Sequence, residues 1–161
     1  MLLLIFGFFF HMKPAPVYHV VIDKSEYVMQ VYDSDGWLAS YPVVFGSNNQ
    51  GDKKMEGDRL TPNGHFKIVH KKGHDQWGKF LLLDYPNEES IRKFRSRKSS
   101  GAIPKAASIG GGIGIHGTRP YEEYGVDKYL NWTNGCISVK YSDIFEIYDM
   151  FAIGTEVEIK E

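Results

Sequence analysis

The apolar positions of this chain follow two periods, and each period predicts a different kind of element. Over the first third they alternate with polar ones, the pattern of strands with one buried face. Residues 17–22 and 27–32 are β-rich and are separated by the polar break Asp23-Lys24-Ser25. Ser34-Asp35-Gly36 is a turn signal, and residues 37–45 then read as a third strand. The stretch 46–60 is polar and glycine-bearing, which predicts an exposed loop. Residues 65–69 and 79–83 predict two more strands, joined through Lys71-Lys72-Gly73. A helical period appears at 88–97, where Ile91, Phe94 and Arg95 fall at helical spacing between an acidic start and a basic end. The clearest helix follows Ser142, a possible cap. Ile144, Ile147, Tyr148 and Phe151 there repeat at i, i+3, i+4 and i+7, and Gly154 can end it. Residues 155–160 alternate as a closing strand with Val157 and Ile159 on one face.

There is no internal repeat and no sign of a second domain. The expected fold is mainly β, with a few short helices packed against the sheets. At 161 residues the chain suits one domain that buries its core without disulfide staples. That domain is expected over residues 17–161. Residues 1–16 stand apart as an apolar N-terminal segment. Its apolar run is too short to cross a bilayer, which takes about 20 residues, and no Lys or Arg precedes it as a secretory signal would require. It reads as a signal or anchor remnant, or as an artefact of expression. Lys and Arg number 19 against 20 Asp and Glu, so a net charge of −1 argues against nucleic acid as a partner.

Cys136 is the only cysteine, in Thr133-Asn134-Gly135-Cys136-Ile137-Ser138, and Ile115-His116-Gly117-Thr118 lies twenty residues upstream. A lone cysteine is often just a small buried hydrophobe, and a lone histidine after an apolar run is often structural. Together they are the set a cysteine acyl-transfer enzyme needs: a nucleophile, a proton carrier, and glycines that let backbone approach an oxyanion.

The two motifs together resemble the L,D-transpeptidase catalytic domain (YkuD-like) family, whose signature is a His-Gly step followed by Ser/Thr-x-Gly-Cys. The resemblance runs from about Tyr18 to the C-terminus. It takes in Thr61-Pro62-Asn63-Gly64-His65-Phe66, the 80–87 stretch and the closing Ile153-Gly154-Thr155-Glu156-Val157. It implies a mixed β-sandwich and a peptidoglycan cysteine transpeptidase that needs no cofactor and no metal. By the same resemblance Cys136 is the nucleophile and His116 the general base and acid, lowering the thiol pKa through a thiolate–imidazolium pair. The Gly135 backbone contributes to the oxyanion hole, and the Gly117 carbonyl orients His116. Asp127 or Asp143 could instead complete a conventional triad. Asn134 and Ser138 depart from commoner family wordings. With Arg119, Trp132 and Thr133 they form the expected substrate-binding set, Arg119 as a clasp for a carboxylate. The aromatic density over 119–132 suits a lid or groove wall, or else ordinary core.

The implied reaction opens the amide of the L-centred third residue of a tetrapeptide stem, releases the terminal D-residue and passes the acyl group to an amine, making a 3→3 crosslink. The partners implied are peptidoglycan stem peptides and an amine-bearing acceptor peptide or protein, with the chain acting as a monomer, periplasmic or facing the cell wall. Two alternatives stay open: an L,D-carboxypeptidase using water, and a non-catalytic peptidoglycan-binding module. Gly112-Ile113-Gly114-Ile115-His116-Gly117 fits a dinucleotide fingerprint, but Arg119-Pro120 follows where a helix should open. His65, His70, His74 and Asp75 superficially suit zinc, although Gly73 breaks the helix that would align them.

Overall fold

The structure, a computed structural model, describes residues 17–161, so the readings of the N-terminal segment fall outside it. The alternation of the first third folds as β1 (His19–Asp23), β2 (Val28–Asp33) and β3 (Gly36–Pro42). Val20, Ile22, Met29 and Val31 point into the core, fully buried. β1 and β2 pair antiparallel, as do β2 and β3. The closing strand β8 (Glu156–Lys160) lies parallel to β1 and buries Val157 and Ile159.

β4 (Gly64–His74) is longer than its apolar signal. Its first residues pair antiparallel with β8, and from Ile68 onward it pairs with β5 (Gly78–Leu83). A bulge between Ile68 and His70 marks the change of partner and leaves Val69 exposed. Lys71-Lys72-Gly73, expected to join two strands, is therefore strand itself, and the turn lies at 75–77. β5 pairs antiparallel with β6 (Gly114–Gly117), and β6 pairs parallel with β7 (Ile137–Val139). The order β3-β2-β1-β8-β4-β5-β6-β7 makes one mainly β, mixed eight-stranded sheet. It folds over on itself, and a bridge between Val44 and Ser138 nearly closes it.

Helix α1 (Glu88–Ser99) starts at Asn87, whose side chain accepts from Ser90 N–H. It carries Glu88 and Glu89 in its first turn and Arg97 and Lys98 in its last. α2 (Tyr124–Asp127), which the apolar pattern did not announce, is a single turn. α3 (Asp143–Met150) buries Ile144 and Ile147. Ser142 does not cap α3 with its side chain; its N–H donates to Glu123 Oε1 at 2.5 Å. Gly154 does not end α3 either. The helix stops at Phe151, which turns extended, and Gly154 N–H donates to Ile68 O at 2.8 Å.

The 46–60 stretch is a loop but not simply an exposed one. Lys53 and Leu60 are buried in it, and Asp58 gathers it by accepting from Lys53 Nζ at 2.7 Å and from the N–H groups of Lys54, Met55 and Leu60. Salt bridges from Arg97 and Lys93 to Asp52 tie it to α1.

Candidate active site

The register of the last two strands brings the two motifs together. His116 on β6 lies opposite Ser138 on β7, and Ile115 lies opposite Ile137. Cys136 just precedes β7 and so falls one diagonal step from His116. Because side chains alternate along a strand, both point to the same face of the ladder.

His116 is 1% exposed. Its Nδ1 lies 2.8 Å from Gly117 O. A carbonyl can only accept, so Nδ1 carries the hydrogen in the neutral ring and Nε2 keeps its lone pair. Trp77, from the turn after β4, stacks on the imidazole with centroids 4.3 Å apart. Phe80 stacks at 6.0 Å, and Trp132 meets the ring edge-on at 5.5 Å. His74 lies against Trp77 at 4.1 Å. Trp77 O also accepts Gly117 N–H at 3.2 Å. A side chain at Gly117 would put Cβ 2.8 Å from that oxygen and 3.0 Å from Ile144 Cγ2, so the residue after the histidine has no room for one. Burial holds His116 far below the ordinary histidine value, at about 4. The Gly117 hydrogen bond works the other way, and nearby His74 lowers it further.

Cys136 is half-buried and its thiol donates to Gly112 O at 3.5 Å. Burial pushes this thiol up, against the Gly114 N–H and the Lys53 ammonium, which act downward. A thiol pushed up beside a histidine pushed down is a neutral pair. Burial disfavours both charges and so acts against the thiolate–imidazolium pair expected from the sequence.

Glycine is required at position 135, where φ is +121 and a Cβ would lie 2.7 Å from Leu60 O. Gly135 N–H donates to Thr133 Oγ1 at 3.1 Å, so the hydrogen expected to serve an oxyanion is committed inside its own loop. Thr133 Oγ1 in turn donates to Cys136 O at 2.7 Å. Thr133 is 4% exposed and braces the cysteine loop from within, against the substrate contact expected of it. Ser138 is fully buried in the ladder, with its N–H on Val44 O, so it too is removed from the substrate-binding set. Arg119 pairs with Glu122 at 3.2 Å on the surface. Asp127 pairs with Lys140 at 2.6 Å, and Asp143 accepts from Ser142; neither is a hydrogen-bond partner of His116. Trp132 and exposed Asn134 remain beside the site.

Several residues here are given no role at the site by the sequence alone. Thr61 Oγ1 donates to Gly135 O at 3.0 Å, which gives the Thr61-Pro62 stretch a direct role in seating the cysteine loop. Behind it the buried Lys24 ammonium donates to the carbonyls of Gln50, Gly51 and Thr61. Arg59 Nε reaches Thr133 O at 3.4 Å. Trp77 is the clearest omission, since its contact with His116 depends on a hairpin turn reaching across to β6. Among the described residues no group of three or more His, Cys, Asp or Glu is placed to hold a metal ion.

Residues 17–159 match the family model of the L,D-transpeptidase catalytic domain, nearly the whole described chain. The chain belongs to the L,D-transpeptidase catalytic-domain family. Solved structures agree at the level of fold. The helical cell shape determining protein Pgp2 from Campylobacter jejuni superposes with a TM-score of 0.65 at 23% identity, over 92% of this chain and 49% of that one. An L,D-transpeptidase from Mycobacterium smegmatis gives 0.56 at 18%, over 91% and 59%. L,D-transpeptidase 3 from Mycobacterium tuberculosis, in complex with a faropenem-derived adduct, gives 0.59 at 13%, over 91% and 61%. This L,D-transpeptidase domain thus spans about half the length of the first of these structures. A comparison with curated proteins found no match.

Proposed function

We propose that the chain is a cysteine-dependent peptidoglycan L,D-transpeptidase with Cys136 as nucleophile and His116 as general base and acid. What supports this reading most is the shared face of β6 and β7, which carries a thiol and an imidazole whose free Nε2 is the basic nitrogen. As Cys136 Sγ attacks the carbonyl carbon of the L-centred third stem residue, its proton passes to His116 Nε2. The C–N bond breaks, the terminal D-residue leaves as an amine carrying the His116 proton, and a thioester remains. An acceptor amine then attacks that carbonyl and gives its proton to His116. The C–S bond breaks and the proton returns to sulfur, leaving a 3→3 crosslink. A neutral resting pair suits this course, because proton transfer accompanies attack instead of preceding it. Cys136 N–H is the loop donor best placed to serve the oxyanion, given that Gly135 N–H is engaged. Water in place of the amine makes the same site an L,D-carboxypeptidase. Stem peptides are crosslinked outside the cytoplasmic membrane, so the active protein works there. Among the described residues no helix is long and apolar enough to cross a membrane.

The test is intact-mass spectrometry with a carbapenem on the wild type and Cys136→Ala, since one solved L,D-transpeptidase of this fold is in complex with imipenem. A stoichiometric adduct on the wild type alone supports an activated Cys136. No adduct on folded, reduced protein would reject the reading and favour a binding module. Tetrapeptide turnover with and without an amine acceptor then separates crosslinking from hydrolysis.

A further inference from the structure

Beside Cys136 lies an open groove of about 430 Å³ lined by Lys53, Glu56, Gly57, Arg59, Gly110, Gly111, Ile113 and Asn134. Asn134 is two residues from the nucleophile, and the 110–113 wall is the segment whose Gly112 carbonyl touches Sγ. The groove therefore runs alongside the segment whose carbonyl meets the sulfur. Its charges are unevenly spent. Lys53 is bound to Asp58 at 2.7 Å, and Asp58 is further occupied by three backbone N–H groups. Glu56 is held by the Ser108 hydroxyl. Arg59 has only its Nε engaged, on Thr133 O, and among the described residues no carboxylate pairs with it. Its backbone has φ +59, a left-handed conformation that disfavours any residue with a Cβ.

Resting on the function proposed above, we propose that Arg59 binds the free C-terminal carboxylate of the D-residue that leaves. In a tetrapeptide that carboxylate is one residue beyond the carbonyl attacked, and Arg59 is the groove's cation without a carboxylate partner among the described residues. A guanidinium fixed through Nε presents its remaining N–H groups as a fork, the geometry that takes a carboxylate in two parallel bonds. Arg59 then selects stems ending one residue after the scissile bond. It takes the role the sequence suggested for Arg119, which is engaged with Glu122.

The left-handed backbone supplies a clean variant, because Arg59→Gly removes the guanidinium while relieving the strain and is expected to fold as well as the wild type. The experiment measures kcat/KM for a tetrapeptide with a free C-terminal acid and for the same peptide as its C-terminal amide, on the wild type, R59G and R59K, with Tm for each. The expected result is a wild-type preference for the acid of about ten- to a hundredfold, the span of a charged hydrogen bond. R59G should lose that preference, and R59K, which keeps charge without the fork, should retain part of it. A preference unchanged in R59G, or absent from the wild type, overturns the role of Arg59 and leaves the transpeptidase reading intact. If the wild type turns over neither peptide, the proposed function fails and this inference with it.

Discussion

His116 and Cys136 stand one diagonal step apart and are held by opposite means. His116 sits on a paired strand among Trp77, Phe80 and Trp132, and packing fixes it. Cys136 sits at the end of a loop, seated by Thr133, Thr61 and a glycine no other residue can replace. Packing excludes water and so sets protonation, whereas a hydrogen-bonded loop sets direction. The proposed chemistry, with a neutral base and an aimed sulfur, calls for one of each.

That contrast can be broken first through pH. Folded His116 takes a proton only below about 4, while an unfolded histidine takes one near 6.5. Between those values the unfolded chain holds the extra proton, so acid favours unfolding. This contribution is fully present above about pH 6.5 and lost as the pH falls to about 4, on the order of 3 kcal/mol. Urea unfolding at pH 7 and pH 4 measures it, and His116→Asn should shrink the difference by that amount. Acylation of the wild type by a carbapenem should stay nearly flat between these limits and the raised thiol value, since neither group changes charge there.

Gly117→Ala attacks the packed half by forcing a methyl against Trp77 O and Ile144. It should lower stability by about 2 kcal/mol and slow acylation, read from the urea midpoint and adduct kinetics together. Thr133→Val attacks the hydrogen-bonded half with little change of volume. It strands the Gly135 N–H and the Cys136 carbonyl, for about 1.5 kcal/mol, and acylation should fall by more than the stability loss explains. Arg119→Ala, at the exposed pair with Glu122, should shift stability by less than about 0.5 kcal/mol and leave tetrapeptide KM unchanged. A raised KM would return Arg119 to the substrate site.

The same division explains what could be read from the chain. Strands β1, β2 and β8 and helix α3 show their period because one face is wet, and Val157 and Ile159 announce β8 in this way. β6 is buried at every position, so Gly114-Ile115-His116-Gly117 has no alternation to read. The far half of β4, from His70 to His74, is polar and mostly exposed, and only its pairing with β5 makes it a strand. Cys136 and His116 stood out by their motif wording. Lys53, Arg59 and Trp77 did not, because each takes its meaning from a partner distant in sequence; Arg59 meets Thr133 seventy-four residues away. Ser138 and Thr133 looked like surface polar groups because hydroxyls that brace a buried turn have the same letters as hydroxyls that meet a ligand.

The caged Lys24 carries one more consequence. Its ammonium holds Thr61 through the carbonyl, and Thr61 holds Gly135 through the hydroxyl, so the turn after β1 is wired to the cysteine loop in two steps. Lifting that loop from its seat breaks the Thr61–Gly135 bond and leaves a buried hydroxyl and a buried carbonyl unpaired, which penalises a partial opening. The amides around Cys136 should then exchange with deuterium in step with those of β1 and β8, as members of a single cooperative unit and not as a fraying surface segment.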